Sequence, residues 1–327
     1  RGSLANTCGF HGFPGIEAGL PVITGGGDER MKRFRFKKID AFTRGDSPGN
    51  PAGCVYLRDS DEITEEEMQR LARELKGFVS EVVYLFPEGE GAYLRYFSSE
   101  CEVDFCGHGT IAAMYDYILD RPDLNSREEF RIRVGDAFLP VYNRIPSEDA
   151  VYITAPAPSY RALPADETEI RSALGGAPAA GDEWRASFIN AGLNTLIVPV
   201  KDLDACLALH PEEAVLRDFC LRCGADIVLV FSTQTARGDC LFRTRVFAPK
   251  FGYLEDPATG SGNSAFGCYL LRESRWDGAP MLLEQNGLRE SPNLIRLSSH
   301  REGGEERVLF GGSATVRIDG HYCLGPG

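Results

Sequence analysis

CGHGTIAAMYDYIL (106–119) and TGSGNSAFGCYLL (259–271) each place a Gly-x-Gly turn directly before an apolar helix, and the order of elements upstream of them recurs as well. EVVYLF (81–86) leads through a Gly-rich turn into YLRYF (93–97). DIVLVFS (226–232) leads through a turn into CLFRTRVF (240–247). Each half therefore reads as strand, hairpin turn, second strand, loop, Gly-x-Gly turn and helix. Phe97 matches Phe247, and Gly107 and Gly109 match Gly260 and Gly262, with the second loop three residues longer. Still earlier, DAFTRGDSPGNPAGCVYL (40–57) is echoed by SFINAGLNTLIVPV (187–200), each a Gly/Asn turn followed by a buried strand. A helix follows both, at 64–76 and 211–223, and Thr64 with Glu67 three residues on forms a capping box. The prediction is an α/β (α+β) chain of two pseudo-symmetric halves.

The boundaries follow from the same pattern. Residues 1–30 are rich in glycine and show no hydrophobic period, so they read as a leader or disordered extension. MKRFRFKK (31–38) alternates basic residues with Phe34 and Phe36, as a first strand does. The first half runs over 31–150 and the second over 151–312, joined near the Pro-rich TAPAPSYRALP (154–164). The strand-like end at about 313–327 crosses back to the first half.

Of the 327 residues, 43% are hydrophobic and 25% charged, enough for two cores. A net charge of -13 repels a phosphate backbone, which argues against a nucleic-acid partner. The apolar runs, such as 227–231, are too short to span a bilayer. Ten irregularly spaced cysteines and no secretory signal imply free thiols in a reducing cytoplasm. Cys220 and Cys223 form a CxxC, but a structural zinc needs a second pair, and none exists; no metal is expected. Neither Gly-x-Gly turn extends to a dinucleotide fingerprint, and there is no P-loop. A homodimer is the default for an enzyme of this size.

A Gly-x-Gly turn at a helix start exposes backbone N–H groups at the positive end of the dipole, a site for an anion. Two facing turns can hold a carboxylate between them; alternatively the glycines only make tight helix entries. The first turn carries His108 at its centre, with Cys106 before and Thr110 after. In the second, Asp256 precedes the glycines, Ser261 lies between them and Asn263 follows. Glu81 opens a strand with no other charge nearby. Such a carboxylate is costly to bury unless it is paired, caps a backbone amide, or acts as an acid/base with a raised pKa.

These residues together resemble the PhzF-like family, the phenazine-biosynthesis-type isomerases of the diaminopimelate epimerase fold. The matching stretches are DAFT with GNPAG (40–53), FVSEVVYL (78–85), DFCGHGT (104–110), LEDPATGSGN (254–263) and GGSATVRIDG (311–320). The resemblance implies two domains, each a sheet wrapped around a central helix, with a site in the cleft between them and no cofactor. It implies that Glu81 is the catalytic acid/base, and that His108, Asp256 and Ser261 orient the substrate. Asn50, Gly107, Gly109, Thr110, Gly260, Gly262 and Asn263 would bind it. True epimerases of the fold use two opposed thiols. Here Cys106 fills the first position and Thr259 the second, and an alcohol cannot serve as the second base. The expected activity is movement of a proton between carbons of a small carboxylate-bearing molecule. The rivals are an anion-binding protein on the same fold and an epimerase or racemase with altered bases.

Overall fold

Alternating and fully apolar segments become strands, and the two glycine-led apolar segments become the helices those strands enclose. The computed structural model describes residues 31–326 apart from 90, 178 and 182, so the expected leader at 1–30 lies outside the described residues. The first eight strands are Lys32–Ala41 (β1), Asn50–Tyr56 (β2), Glu81–Glu88 (β3), Gly91–Phe97 (β4), Glu102–Val103 (β5), Glu129–Val134 (β6), Ala137–Asn143 (β7) and Val151–Thr154 (β8). Ten more follow: Ser159–Arg161 (β9), Ser187–Asn190 (β10), Asn194–Pro199 (β11), Ile227–Ser232 (β12), Phe242–Phe247 (β13), Glu255–Asp256 (β14), Met281–Gln285 (β15), Asn293–Glu302 (β16), Glu305–Gly312 (β17) and Ala314–Leu324 (β18).

The repeat is visible in the ladders. β1–β2 and β10–β11 are antiparallel, β2–β3 and β11–β12 parallel, β3–β4 and β12–β13 antiparallel, β4–β6 and β13–β15 parallel. The two runs meet where β8 pairs with β17. Each outer edge is then completed by the strand that comes next in the chain: β9 crosses to β10, and β18 crosses back to β1. These crossings tie the runs together, since neither outer edge is built from its own stretch of chain.

Both sheet faces are covered. The central helices, Gly107–Leu119 and Gly260–Arg272, are thirteen residues each and are buried over most of their length, in keeping with their continuous apolar sequence. They share one core with Ile39, Val83, Leu229 and Phe310. The other faces pack against the helices Glu65–Glu74 and Glu213–Cys223, through Met68 and Leu71 on one side and Leu216 and Phe219 on the other. Thr64 and Glu67 form the reciprocal capping box, and Gly224 ends the second outer helix in the left-handed conformation at φ 69°. Among the described residues no helix is long and apolar enough to cross a membrane.

Phe310 fixes how the central helices meet. Its ring is buried on β17 against both helix starts: a Cβ added at Gly107 would lie 3.1 Å from it, and one at Gly260 only 2.2 Å. Gly260 is therefore demanded by the close approach of this ring, and Gly107 sits tight against it. The second glycine is held by the strand beneath, Gly109 by Val83 and Gly262 by Ile227.

Candidate active site

The two-residue period of β3 aims Glu81 to the same side as Val83 and Leu85, toward the start of the first central helix. There its Oε2 lies 3.2 Å from His108 Nε2, and the Cys106 thiol points at the same oxygen from 3.9 Å. Cys106 is the N-cap of that helix; its sulfur accepts the Gly109 N–H at 3.3 Å and sits 3.4 Å from His108 Nδ1. Burial, only slightly offset by the thiol contact, lifts the Glu81 carboxyl from its ordinary 4.5 to about 7. Burial also lowers the His108 pKa, against the opposing pull of Asp256 and a hydrogen bond to the Pro51 backbone, so the imidazole is neutral at pH 7. The thiol is pushed well above its usual range, by burial first and the Glu81 charge second.

Asp256 enters from the second run of strands, on the short β14. Its Oδ1 accepts from Asn50 Nδ2 at 2.8 Å and its Oδ2 from the Thr259 hydroxyl at 2.5 Å. Burial raises its carboxyl from 3.8 to about 6, with His108 and the Thr259 hydroxyl working the other way. Gln285 supports this corner: it donates to the Asp256 carbonyl at 2.9 Å and to Thr259 Oγ1 at 3.0 Å, and accepts the Thr259 N–H at 2.9 Å. Asn293 joins the runs by accepting the Gly49 N–H at 2.7 Å and donating to the Pro257 carbonyl at 2.8 Å.

The structure thus brings Glu81, His108, Asp256 and Asn50 together, and Ser261 stands partly exposed near Gly192. Three residues expected to bind substrate have their side chains hydrogen-bonded within the protein. Asn50 is 1% exposed; its amide donates to Asp256 and to the Ala258 carbonyl and accepts from Ser80, so it positions Asp256. Thr110 is sealed against Tyr96 and the Cys106 carbonyl, and Asn263 against Thr244, Thr259 and Gln285. Gly109, Gly260 and Gly262 are buried by the packing described above, while Gly107 keeps partial exposure.

Four participants escaped the sequence reading. Gln285 and Asn293 are polar residues at the end and the start of apolar strands, a signal open to inspection but silent about partners. Ser80, which holds Asn50, precedes Glu81 directly. Tyr253 lies partly exposed in the longer second loop, where desolvation and then the charges of Asp256 and Glu81 raise its phenol.

The frame is a duplicated sheet and helix of the α/β class, and the cluster draws Glu81 and His108 from the first run of strands and Asp256 from the second. A family model, the phenazine biosynthesis-like proteins (PhzC-PhzF), matches residues 39–320, and the chain belongs to this family. It is 28% identical over 292 residues to an uncharacterized isomerase, YfhB, of Bacillus subtilis, covering 87% of this chain and 97% of the relative. It is 28% identical over 261 residues to the trans-2,3-dihydro-3-hydroxyanthranilate isomerase of Pseudomonas fluorescens, covering 79% and 87%. The crystal structure of a PhzF-family protein from Bacillus anthracis superposes with a TM-score of 0.78 at 24% identity, over 89% of this chain and 99% of that one, which speaks for the fold alone. The chain is an enzyme of the isomerase class.

Proposed function

We propose that this isomerase moves a proton between two carbons of a small carboxylate-bearing substrate, with Glu81 as the proton carrier, in a cleft between the two halves. One observation carries the reading: a carboxyl lifted to about 7, in contact with a neutral imidazole, near a second carboxyl held by the other half. A group with a pKa near the working pH can both take and return a proton.

In this reading the Glu81 carboxylate removes a proton from a carbon acidified by neighbouring unsaturation. The electron pair delocalises, and the new carboxylic acid delivers the same proton to another carbon on the same face. The step is redox-neutral and consumes no co-reactant, so no cofactor is required. His108 donates toward the charge that develops, and ionised Asp256 orients an amino or hydroxyl group. The first turn of the second central helix has no side-chain cap, because Thr259 gives its hydroxyl to Asp256. Its N–H groups and Ser261 then hold the substrate carboxylate. The name of the Pseudomonas fluorescens relative supports an unsaturated, amine- and hydroxyl-bearing carboxylate as the substrate class. A homodimer in a reducing cytoplasm belongs to the proposal, and the free thiols among the described residues suit that compartment.

The test is mass spectrometry of trans-2,3-dihydro-3-hydroxyanthranilate and a panel of small unsaturated carboxylates and amino acids, incubated in D₂O with wild type and with Glu81→Gln. A compound that isomerises or gains deuterium with wild type alone supports the reading. Retention time is followed with mass, since a shielded carboxyl returns its own proton. Turnover of a compound by Glu81→Gln at the wild-type rate would remove Glu81 from the role of proton carrier.

A further inference from the structure

Three donors of different chemistry converge beside the first Gly-x-Gly turn, and the proton transfer proposed above uses only two of them. Cys106 Sγ, His108 Nε2 and Glu81 Oε2 form a triangle with edges of 3.9 Å (S to N), 3.2 Å (N to O) and 3.9 Å (S to O). A tetrahedral zinc ion, with bonds of about 2.3 Å to sulfur and about 2.0–2.1 Å to nitrogen and oxygen, needs ligand edges of roughly 3.3–3.6 Å. The triangle is already one face of such a tetrahedron to within a few tenths of an ångström. We propose that it binds a thiophilic divalent cation, Zn²⁺ above all.

Charge and orientation both favour the ion. One Zn²⁺, one thiolate, one carboxylate and one neutral imidazole sum to zero, so the buried complex carries no net charge. On binding, the ion forms bonds to sulfur, nitrogen and oxygen, loses water ligands, and releases the thiol proton to solvent. The thiolate stays at a helix N-terminus with the Gly109 N–H directed at it. Asp256 is outside the group of donor atoms that lie within 4.8 Å of one another here, with its oxygens turned to Asn50 and Thr259. Three protein ligands with an open fourth position make an exchangeable site rather than a closed structural one.

The experiment titrates the apo protein with Zn²⁺ by calorimetry and with Co²⁺ by absorbance, without substrate, so it stands apart from the isomerase reading. One ion per chain is expected, with a thiolate-to-cobalt charge-transfer band in the near ultraviolet. Cys106→Ser should abolish that band and weaken Zn²⁺ by at least the ~10–100-fold that outer-shell partners alone carry. Glu81→Gln, which preserves size, should weaken it too while keeping the band, and circular dichroism reports whether either variant is folded. The double variant Cys220→Ser, Cys223→Ser should change neither band nor affinity. Binding that survives Cys106→Ser, binding lost in the double variant, or no binding at all overturns the proposal.

Discussion

EVDFCGHG (102–109) and EDPATGSG (255–262) have the same length and the same ladder, yet they carry different chemistry. Glu102 pairs with Phe97 as Glu255 pairs with Phe247, and Val103 with Tyr96 as Asp256 with Val246. Each glutamate is bridged by the arginine two residues before that phenylalanine, Arg95 at 2.6 Å and Arg245 at 2.8 Å. On this duplicated frame Val103 answers to Asp256, Cys106 to Thr259 and His108 to Ser261. The register extends further: Val82 and Val228 both pair with the phenylalanine, so Glu81 falls opposite Ile227. Duplication thus supplies two helix starts, while divergence leaves the Glu81 carboxyl, an imidazole and a thiol on one side and the Asp256 carboxyl on the other. Two-thiol racemisation has no partner for Cys106, because Thr259 is an alcohol committed to Asp256.

The difference breaks hardest at Glu81. Glu81→Gln should lower kcat by ~10²–10⁴ on an identified substrate. The wild-type rate should climb with Glu81 ionisation through a pH of about 7. Stability moves the other way. The folded carboxyl binds its proton up to about 7 and the unfolded one only to about 4.5, so stability is full below 4.5 and is lost as pH rises to 7. The shift of about 2.5 units sets an upper bound of ~3 kcal/mol. Urea denaturation should show Glu81→Gln more stable than wild type at pH 8 and nearly equal at pH 4.5; a constant gap would remove the raised carboxyl from the account.

The second turn is tested at Thr259. Thr259→Val keeps the shape but deprives Asp256 of one donor, a loss of ~1.5–3 kcal/mol for a bond to a charged acceptor. Asp256 must then bind its proton more tightly than at about 6, so the acid-side fall in rate should move to higher pH. A pH–rate profile reads this directly. Below it in size stands the glycine pair. Gly260→Ala drives a Cβ to 2.2 Å from the buried Phe310 ring and should cost ~1–3 kcal/mol by denaturation. Gly107→Ala, at 3.1 Å from the same ring, should cost less.

Local pattern made the frame legible. The repeat gave the succession of elements within each half and both central helices, and the spacing of Thr64 and Glu67 gave the capping box. What stayed hidden depends on partners far away in the chain. The glycines read as helix entries or an anion cradle, but nothing local told that Phe310, some 50 to 200 residues on, would fill the space beside Gly107 and Gly260. MKRFRFKK read as a strand with a basic face, but Lys37 is buried, its ammonium 2.8 Å from Asp116 on the first central helix. Asn50 could be assigned to the site by its motif but not to its task, because Asp256 arrives 206 residues later. Periodicity reports which face a residue takes; it does not report what waits there.

The smallest expected effect sharpens how far the frame itself is symmetric. Arg95 and Arg245 hold matched glutamates, but their surroundings differ. The Arg245 side chain is 4% exposed and also donates to the carbonyls of Cys206 and Leu209, whereas Arg95 is 19% exposed and has a second carboxylate in Glu65 at 3.0 Å. Glu102→Gln therefore removes one of two partners from a half-open pair and should cost only ~0.2–1 kcal/mol. Glu255→Gln leaves a buried guanidinium without its only carboxylate among the described residues, and should cost more. Thermal melts of the two variants decide the matter. A larger loss for Glu255→Gln means that burial, rather than pairing geometry, sets the strength of these repeated bridges. Equal losses would mean that the two loops are held alike, and that the asymmetry of the site stops at the side chains that face the substrate.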